Sequence, residues 1–272
     1  MTNIIMSEFG DRRVNRGGGN FGDLHRLDPS VTSFSSWFRT DELKLTVYSD
    51  YEIDVSGFDI ETEVKVVDKI SSGHRSGYHA ADYYKFYGML KSPYETAIAM
   101  DNDMVTMSKA VRTLPYLAKK FGICLPINPR LLVNLDSTKG DDSNYDIKED
   151  KSNGWGLTYN LTPMACNPHD LRTKKLLTSV CEHLQKRQGR GATAVWRGMR
   201  DTGITPNTLS FHWCVCDSGL GMYADPPAGN VVGIKNPIML HIGHDKVKNH
   251  YIKDWDSFWN DTKSRTWTEE LT

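Results

Sequence analysis

The chain has 272 residues, of which 39% are hydrophobic and 10% aromatic, so it can bury a substantial core while still forming one domain. Its 33 basic and 34 acidic residues nearly cancel, which excludes an acidic disordered chain and a protein that coats nucleic acid through its overall charge. Because it has no apolar run of about twenty residues, no secretory leader pattern at its start and only irregularly spaced cysteines, we expect a cytoplasmic protein without a membrane partner or a disulfide framework.

The first hundred residues alternate between β-type and helical patterns. Short apolar or β-branched runs predict strands at 4–6, 43–48, 64–67 and 96–100. Apolar residues at helical spacing predict helices over 28–40 and 78–90, and a glycine-rich loop without periodicity occupies 16–20. This alternation predicts an α/β fold with a mostly parallel central sheet flanked by helices, in which ligands bind at the carboxyl ends of the strands.

The second half of the chain is less regular. We predict an exposed polar loop over 134–153, a helix over 171–188 and a buried strand over 211–216. In such a strand His212, Cys214 and Cys216 would share one face, a spacing that could offer ligands to zinc, although buried free cysteines are the more ordinary interpretation. No internal repeat or linker is evident, so we expect a single domain over 1–272.

Asp101-Asn102-Asp103 follows directly on the predicted strand 96–100. Two carboxylates one residue apart can converge on a divalent cation, and hard oxygen ligands suit Mn²⁺ or Mg²⁺. The same triplet also occurs in ordinary turns. Its position at the end of a strand favours the metal site, where the cation would neutralise a departing nucleoside diphosphate.

Two parts of the chain resemble glycogenin-like retaining glycosyltransferases of the GT-A fold. Residues 82–90 with 94–103 resemble the helix, strand and DxD core of that family, and residues 241–246 resemble its C-terminal segment. The resemblance implies metal ligands at Asp101, Asp103 and His241, with His244 as an alternative to His241. Donor contacts are predicted at the following positions: Lys85, Arg75, Asn102, Gly243 and Lys246.

This resemblance implies a single GT-A domain in which residues 1–106 form the nucleotide-sugar-binding half. Residues 107–272 would form the acceptor half, whose C-terminal segment contacts the metal and the diphosphate. The domain would move a sugar carried on a nucleoside diphosphate, with UDP as the expected carrier, to a hydroxyl with the help of Mn²⁺ or Mg²⁺. A metal-dependent nucleotidyltransferase is an alternative, because paired aspartates at a strand end also hold magnesium in such enzymes. The glycine-rich stretch after the first strand, however, is not recognisable as a phosphate-binding loop. A non-enzymatic nucleic-acid-binding protein is a further alternative.

The stretch 172–200 is strongly basic in this otherwise neutral chain. Its arginine- and glycine-rich part is followed by an aromatic residue, a mixture that is typical of a surface for a phosphate backbone with a stacking side chain. We predict acceptor contacts at Arg187, Arg190, Trp196 and Arg197. A solvated helix face is the ordinary alternative. The chain also resembles phage enzymes that glycosylate hydroxymethylcytosine, which implies double-stranded DNA as the acceptor and arabinose or glucose as the sugar.

Overall fold

The computed structural model describes residues 1–10, 27–72, 76–131, 157–186, 189–216, 224–225, 230–231, 234–243 and 245–265. Its helices are α1 (Asp28–Ser35), α2 (Ser76–Lys91), α3 (Leu114–Phe121), α4 (Leu171–Lys186), α5 (Gly191–Thr202), α6 (Asp245–Tyr251) and α7 (Trp255–Ser264). Short 3₁₀ helices cover Thr40–Glu42, Lys109–Thr113 and Phe211–Trp213. The loops predicted at 16–20 and 134–153 lie outside the described residues.

The strands are β1 (Thr2–Glu8), β2 (Leu43–Ser49), β3 (Glu61–Val66), β4 (Thr96–Ala99), β5 (Met104–Thr106), β6 (Ile123–Leu131), β7 (Leu157–Tyr159), β8 (Met164–Cys166), β9 (Asn207–Leu209), β10 (Ala224–Asp225), β11 (Asn230–Val231) and β12 (Met239–His241). The main sheet has the order β3-β2-β1-β4-β8-β6-β7, with β9 also paired to β6. The pairs among β1 to β4 are parallel, whereas β8 runs antiparallel to both β4 and β6. The carboxyl ends of β1, β2 and β4 therefore meet at one edge of the sheet, called the upper edge below.

Helices cover both faces of this sheet, as the alternation of strands and helices predicts. Successive side chains of a strand point to opposite faces. Ile4 therefore joins a core with α1 and α3, whereas Ile5 joins a second core with α2, α4 and α5. Because both faces are covered, every residue of β1 is buried.

A small second sheet adds the last strand to the region beyond the upper edge. β12 pairs antiparallel with β5, and its Leu240 joins a third core with residues of α6 and with Trp255 of α7. This pairing brings the C-terminal part of the chain beside the turn that follows β4.

The α/β architecture, the single domain and the mostly parallel sheet are confirmed. The four strands and two helices predicted in the first hundred residues are present, as is the helix beginning at Leu171. The strand predicted over 211–216 is wrong: Phe211–Trp213 is a 3₁₀ helix, and only Val215 makes an isolated bridge to Leu240. An apolar run shows that a segment is buried but does not by itself distinguish a strand from another buried conformation. The alternation on which a zinc site would depend is thereby lost.

Candidate functional site

Asp101, Asn102 and Asp103 form the turn between β4 and β5 at the upper edge of the sheet. The backbone of this turn is held from two sides. Asp101 donates its amide hydrogen to Thr162 Oγ1 at 2.9 Å, and the Ser30 hydroxyl of α1 donates to the Asp101 carbonyl oxygen at 2.9 Å. Ser30 Oγ also accepts from the Met104 amide at 2.9 Å. The two carboxylates thus stand on a rigid support.

His241 reaches these carboxylates through the pairing of β12 with β5. The register places His241 opposite Met104, and Ile242 donates its amide to the Asp103 carbonyl at 2.7 Å. His241 Nε2 lies 3.3 Å from Asp103 Oδ1 and 3.7 Å from Asp101 Oδ2. One ligand atom from each residue lies within 4.8 Å of the others, so the three predicted metal ligands are brought together.

The electrostatics of this cluster favour a cation. Burial of His241 opposes its protonation, but the carboxylates of Asp103 and Asp101 outweigh this effect and raise its pKa to about 9. A positive charge is therefore stabilised where a metal ion would sit. Two carboxylate oxygens and one imidazole nitrogen form a donor set that suits a divalent metal.

Gly243 leaves room beside the cluster. A Cβ atom at this position would overlap the Asp103 carboxylate and would lie 3.2 Å from His241 Cε1. The absence of a side chain at Gly243 is thus a steric requirement of the site. Its predicted contact with a diphosphate stays a prediction.

Lys85 lies on α2 and contacts both Asp101 of the cluster and Asp82, which holds the start of α5. Its side chain is only 3% exposed, and Nζ donates to Asp101 Oδ1 at 2.8 Å. Asp82, one turn earlier, lies 3.5 Å from Lys85 Nζ and accepts the Gly191 amide at 2.9 Å. Lys85 therefore contacts one of the predicted metal ligands, and its predicted contact with the donor stays a prediction.

Asn102 does not point out of the turn. It was predicted to contact the donor, but its side chain is buried, and Nδ2 donates to Glu8 Oε2 at the end of β1. Glu8 itself is fully buried. Glu8 was not among the predicted site residues, although a carboxylate at the end of an entirely buried strand is a usable signal, since such groups need partners. The structure thus assigns Asn102 to holding the turn.

The remaining predicted donor residues are only partly described. Arg75 and His244 lie outside the described residues. Lys246 is the second residue of α6, immediately beyond the loop that carries Gly243. The roles predicted for these side chains stay predictions.

The predicted acceptor residues are not all on the surface. Arg187 lies outside the described residues, and Arg190 precedes the first turn of α5. Trp196 is partly exposed, with the Arg200 guanidinium 5.3 Å from its ring centroid. Arg197 is only 3% exposed, because it lies on the inner face of α5. The prediction that Arg197 contributes to an exposed basic surface is therefore corrected.

Within the described residues, Asp101, Asp103 and His241 are the one group of three acidic, histidine or cysteine side chains placed to share a metal ion. His212, Cys214 and Cys216 do not form such a group. None of the described helices combines the length and apolar character that a membrane crossing requires.

Comparison with solved structures gives the fold. The galactosyltransferase LgtC, solved with donor and acceptor sugar analogues, aligns over 99% of this chain and 98% of its own at 11% identity, with a TM-score of 0.53. The glycosyltransferase GlyE of Streptococcus pneumoniae TIGR4 aligns over 99% of this chain and 62% of its own at 8% identity and a TM-score of 0.54. The bifunctional glycosyltransferase WbbM aligns over 99% and 51% at 12% identity and a TM-score of 0.59.

The chain therefore has the GT-A glycosyltransferase fold that the sequence resemblance implied. It spans most of LgtC but only about half to two thirds of WbbM and GlyE. No protein-family model matches the sequence, and no curated protein matches it.

Proposed function

We propose that this protein is a metal-dependent glycosyltransferase that moves a sugar from a nucleoside diphosphate, UDP in the first instance, to a hydroxyl group. The convergence of Asp101, Asp103 and His241 at the upper edge of a GT-A sheet carries this proposal. In open α/β sheets, ligands bind where the carboxyl ends of the strands meet. A fold shared with glycosyltransferases and a metal-type cluster at that edge support the same conclusion.

The residues have separate parts in the proposed mechanism. Asp101, Asp103 and His241 would hold Mn²⁺ or Mg²⁺, which supplies Lewis-acid stabilisation of the departing diphosphate. Lys85 keeps the carboxylate of Asp101 oriented through a charge-assisted hydrogen bond of 2.8 Å to Oδ1. Lys246, carried by α6 beside Gly243, would add positive charge on the diphosphate side.

The transfer itself exchanges one bond for another. The bond between the anomeric carbon and the diphosphate oxygen breaks, and its electron pair leaves with the diphosphate. The oxygen of the acceptor hydroxyl bonds to the anomeric carbon, and the hydroxyl proton leaves to the diphosphate or to solvent. Retention of the anomeric configuration is implied by the family resemblance alone.

For the acceptor we propose the hydroxymethyl group of hydroxymethylcytosine in double-stranded phage DNA, with arabinose or glucose as the sugar. The support is the family resemblance together with the basic residues of α4, which are exposed. Where the target base leaves the duplex stack to bring its hydroxymethyl group to the donor, Trp196, partly exposed on α5, is available to fill the gap.

Nucleoside diphosphate release from a panel of nucleotide sugars tests this proposal. We expect release that requires Mn²⁺ or Mg²⁺, is abolished by EDTA and is stimulated by DNA containing hydroxymethylcytosine but not by unmodified DNA. Release without such stimulation would retain the glycosyltransferase and reject the DNA acceptor. An absence of release from every donor would contradict the enzymatic proposal.

Variants of the cluster complete the test. Asp101→Ala combined with Asp103→Ala removes both carboxylate ligands, and we expect the rate of release to fall by at least about a hundredfold, the loss typical of a missing electrostatic stabiliser. Asp261→Ala, which removes an exposed carboxylate on α7, is the matched control and should behave as the unaltered protein. Equal rates in all three proteins would overturn the assignment of the metal site.

A further inference from the structure

The exposed side of α4 carries a row of basic residues. Arg172, Lys174, Lys175 and Lys186 are all exposed on this helix. Glu182 is the acidic residue of its exposed side, and its carboxylate lies 3.8 Å from Lys186 Nζ. The whole chain has a net charge of −1, so this concentration of positive charge is local.

The tertiary structure extends this row with a second helix that is distant in sequence. The end of α3 abuts the start of α4, because a Cβ at Gly122 would lie 2.8 Å from Thr173 Oγ1 and 3.0 Å from Asp170 Oδ2. Lys119 and Lys120 on α3 share a hollow of about 450 Å³ with Arg172 on α4. Six basic side chains, which we call the α3–α4 basic row, therefore follow α4 and continue onto α3 where the two helices meet: Lys119, Lys120, Arg172, Lys174, Lys175 and Lys186. Of these, Lys119 is paired with Glu95 at 2.5 Å.

The row runs between the two edges of the sheet. At its upper end, the Leu184 carbonyl of α4 bonds to His79 Nε2 at 2.7 Å, and Gln185 donates to the Tyr83 hydroxyl at 2.8 Å. Both partners lie on α2, the helix that also carries Lys85, which contacts Asp101. At its lower end, α4 begins beside Gly122, which precedes β6. A helix of 16 residues spans about 24 Å, so the row extends far from the metal cluster.

Exposed apolar side chains mark the lower end as a contact surface. Among the described residues, five large apolar side chains are classed as exposed, and three of them, Tyr116, Phe121 and Leu171, belong to α3 and the first turn of α4. Lys120 Nζ lies 5.3 Å from the Phe121 ring centroid and 5.8 Å from that of Tyr116. Apolar groups rimmed by charge are typical of interaction sites.

We propose that the α3–α4 basic row binds the phosphate backbone of double-stranded DNA, with the duplex running from the metal cluster down the side of α4. This inference rests on the proposed function, because it assigns a track to the acceptor that the proposed reaction uses. Positive charges at the first turn of α4 and at Lys186, about 16 Å farther along the helix, match a polymer of phosphates better than a single small anion. The amino end of α4 is capped by Asp170, which accepts the Thr173 amide at 2.7 Å, so the helix end offers no separate anion site.

Binding of a labelled duplex of unmodified sequence tests the proposal, because such DNA lacks the acceptor hydroxyl. Fluorescence anisotropy would be followed at several salt concentrations for the unaltered protein and for Arg172→Ala with Lys174→Ala and Lys175→Ala. We expect the affinity of this variant to fall at least about tenfold, and the slope of log K against log salt to flatten by about 2 to 3, since each lost phosphate contact removes about 0.9.

Two single variants sharpen the test. Glu182→Lys replaces the acidic residue of the row with a basic one, so duplex affinity should rise severalfold. Lys65→Ala is the matched control, because Lys65 is a half-exposed lysine on β3, the strand at one end of the sheet and outside the basic row. The duplex affinity of this variant should equal that of the unaltered protein. Thermal unfolding of each variant establishes that it is folded.

The outcomes separate this proposal from the proposed function and from another partner. Unchanged affinity in the triple variant, or equal losses in the triple variant and Lys65→Ala, would overturn the track. If the unaltered protein bound vesicles containing anionic lipid but did not bind duplex DNA, the proposed DNA track would also be overturned. The surface would then be assigned to a membrane. Duplex binding without any nucleoside diphosphate release would retain the track and reject the enzymatic proposal, whereas release without duplex binding would do the reverse.

Discussion

Gly243 shows how closely the three predicted metal ligands, Asp101, Asp103 and His241, are packed. A methyl group there would overlap the Asp103 carboxylate and approach His241, the two ligands that come from different ends of the chain. Asn102 acts on the same turn from below, through its buried bond to Glu8. Residues that touch no substrate therefore control where the ligand atoms stand, and small displacements of such supporting groups are costly in metal sites.

Gly243→Ala should weaken metal binding while leaving the fold intact. The added methyl group must push the Asp103 carboxylate away, so we expect the affinity for Mn²⁺ to fall by about 10- to 100-fold, the range for altered supporting residues in metal sites. Isothermal titration calorimetry measures this affinity. Gly57→Ala is the control, because a Cβ at Gly57 meets nothing within 4 Å. A Gly243→Ala protein with unaltered affinity would show that the ligand atoms are not constrained in this way.

Among the helices, α2 links the sheet, the carboxylate of Asp101 and the start of α5. It approaches β1 and β2 so closely at Gly88 that a Cβ would lie 2.6 Å from Ile5 Cγ2 and 2.8 Å from a ring carbon of Tyr48. This close approach fixes the distance between Lys85, one turn earlier on α2, and Asp101. Asp82 on the same helix accepts the Gly191 amide and thereby ties down the start of α5.

Gly88→Ala tests this close approach. Alanine favours helix formation by about 1 kcal/mol over glycine, but overpacking against β1 and β2 costs about 1–3 kcal/mol. We therefore expect a net loss in the free energy of unfolding, measured by urea denaturation, and a reduced metal affinity because Lys85 shifts with the helix. Thr178→Ala, at an exposed position of α4, should leave both quantities unchanged. Increased stability of Gly88→Ala would mean that the helix propensity outweighs the contact.

At the scale of the whole molecule, the upper edge of the sheet concentrates acidic groups. Glu8 ends β1, and Asp101 and Asp103 follow β4 on the neighbouring strand. Lys85 and His241 offset part of this negative charge. A divalent cation that binds the folded site and not the unfolded chain must stabilise the fold by mass action.

Thermal unfolding with and without Mn²⁺ measures this coupling. At a metal concentration about 100 times the dissociation constant, we expect about 2.7 kcal/mol of added stability. For a domain of this size that corresponds to a rise in Tm of about 5–10 °C. The shift should vanish in Asp101→Ala with Asp103→Ala and persist in Asp261→Ala. A shift of equal size in the double variant would place the metal elsewhere.

Local sequence patterns were sufficient to predict most of the helices and strands, together with the two aspartates of the site. Hydrophobic periodicity is a local property, so it predicted the strands and helices of the first hundred residues, and the position of Asp101 and Asp103 at a strand end followed from them. His241 came from the family resemblance, since nothing local to His241 indicates its partners. The segment 211–216 was misassigned because burial alone does not specify a backbone conformation.

Which distant residues meet depends on the packing of the folded chain. The bond from Asn102 to Glu8, the burial of Arg197 and the junction of α3 with α4 all depend on how helices pack on the two faces of the sheet. Such contacts join residues far apart in the chain, and no periodicity records them. The pairing of β12 with β5 is the decisive case, because backbone hydrogen bonds between these two strands bring His241 to the aspartates.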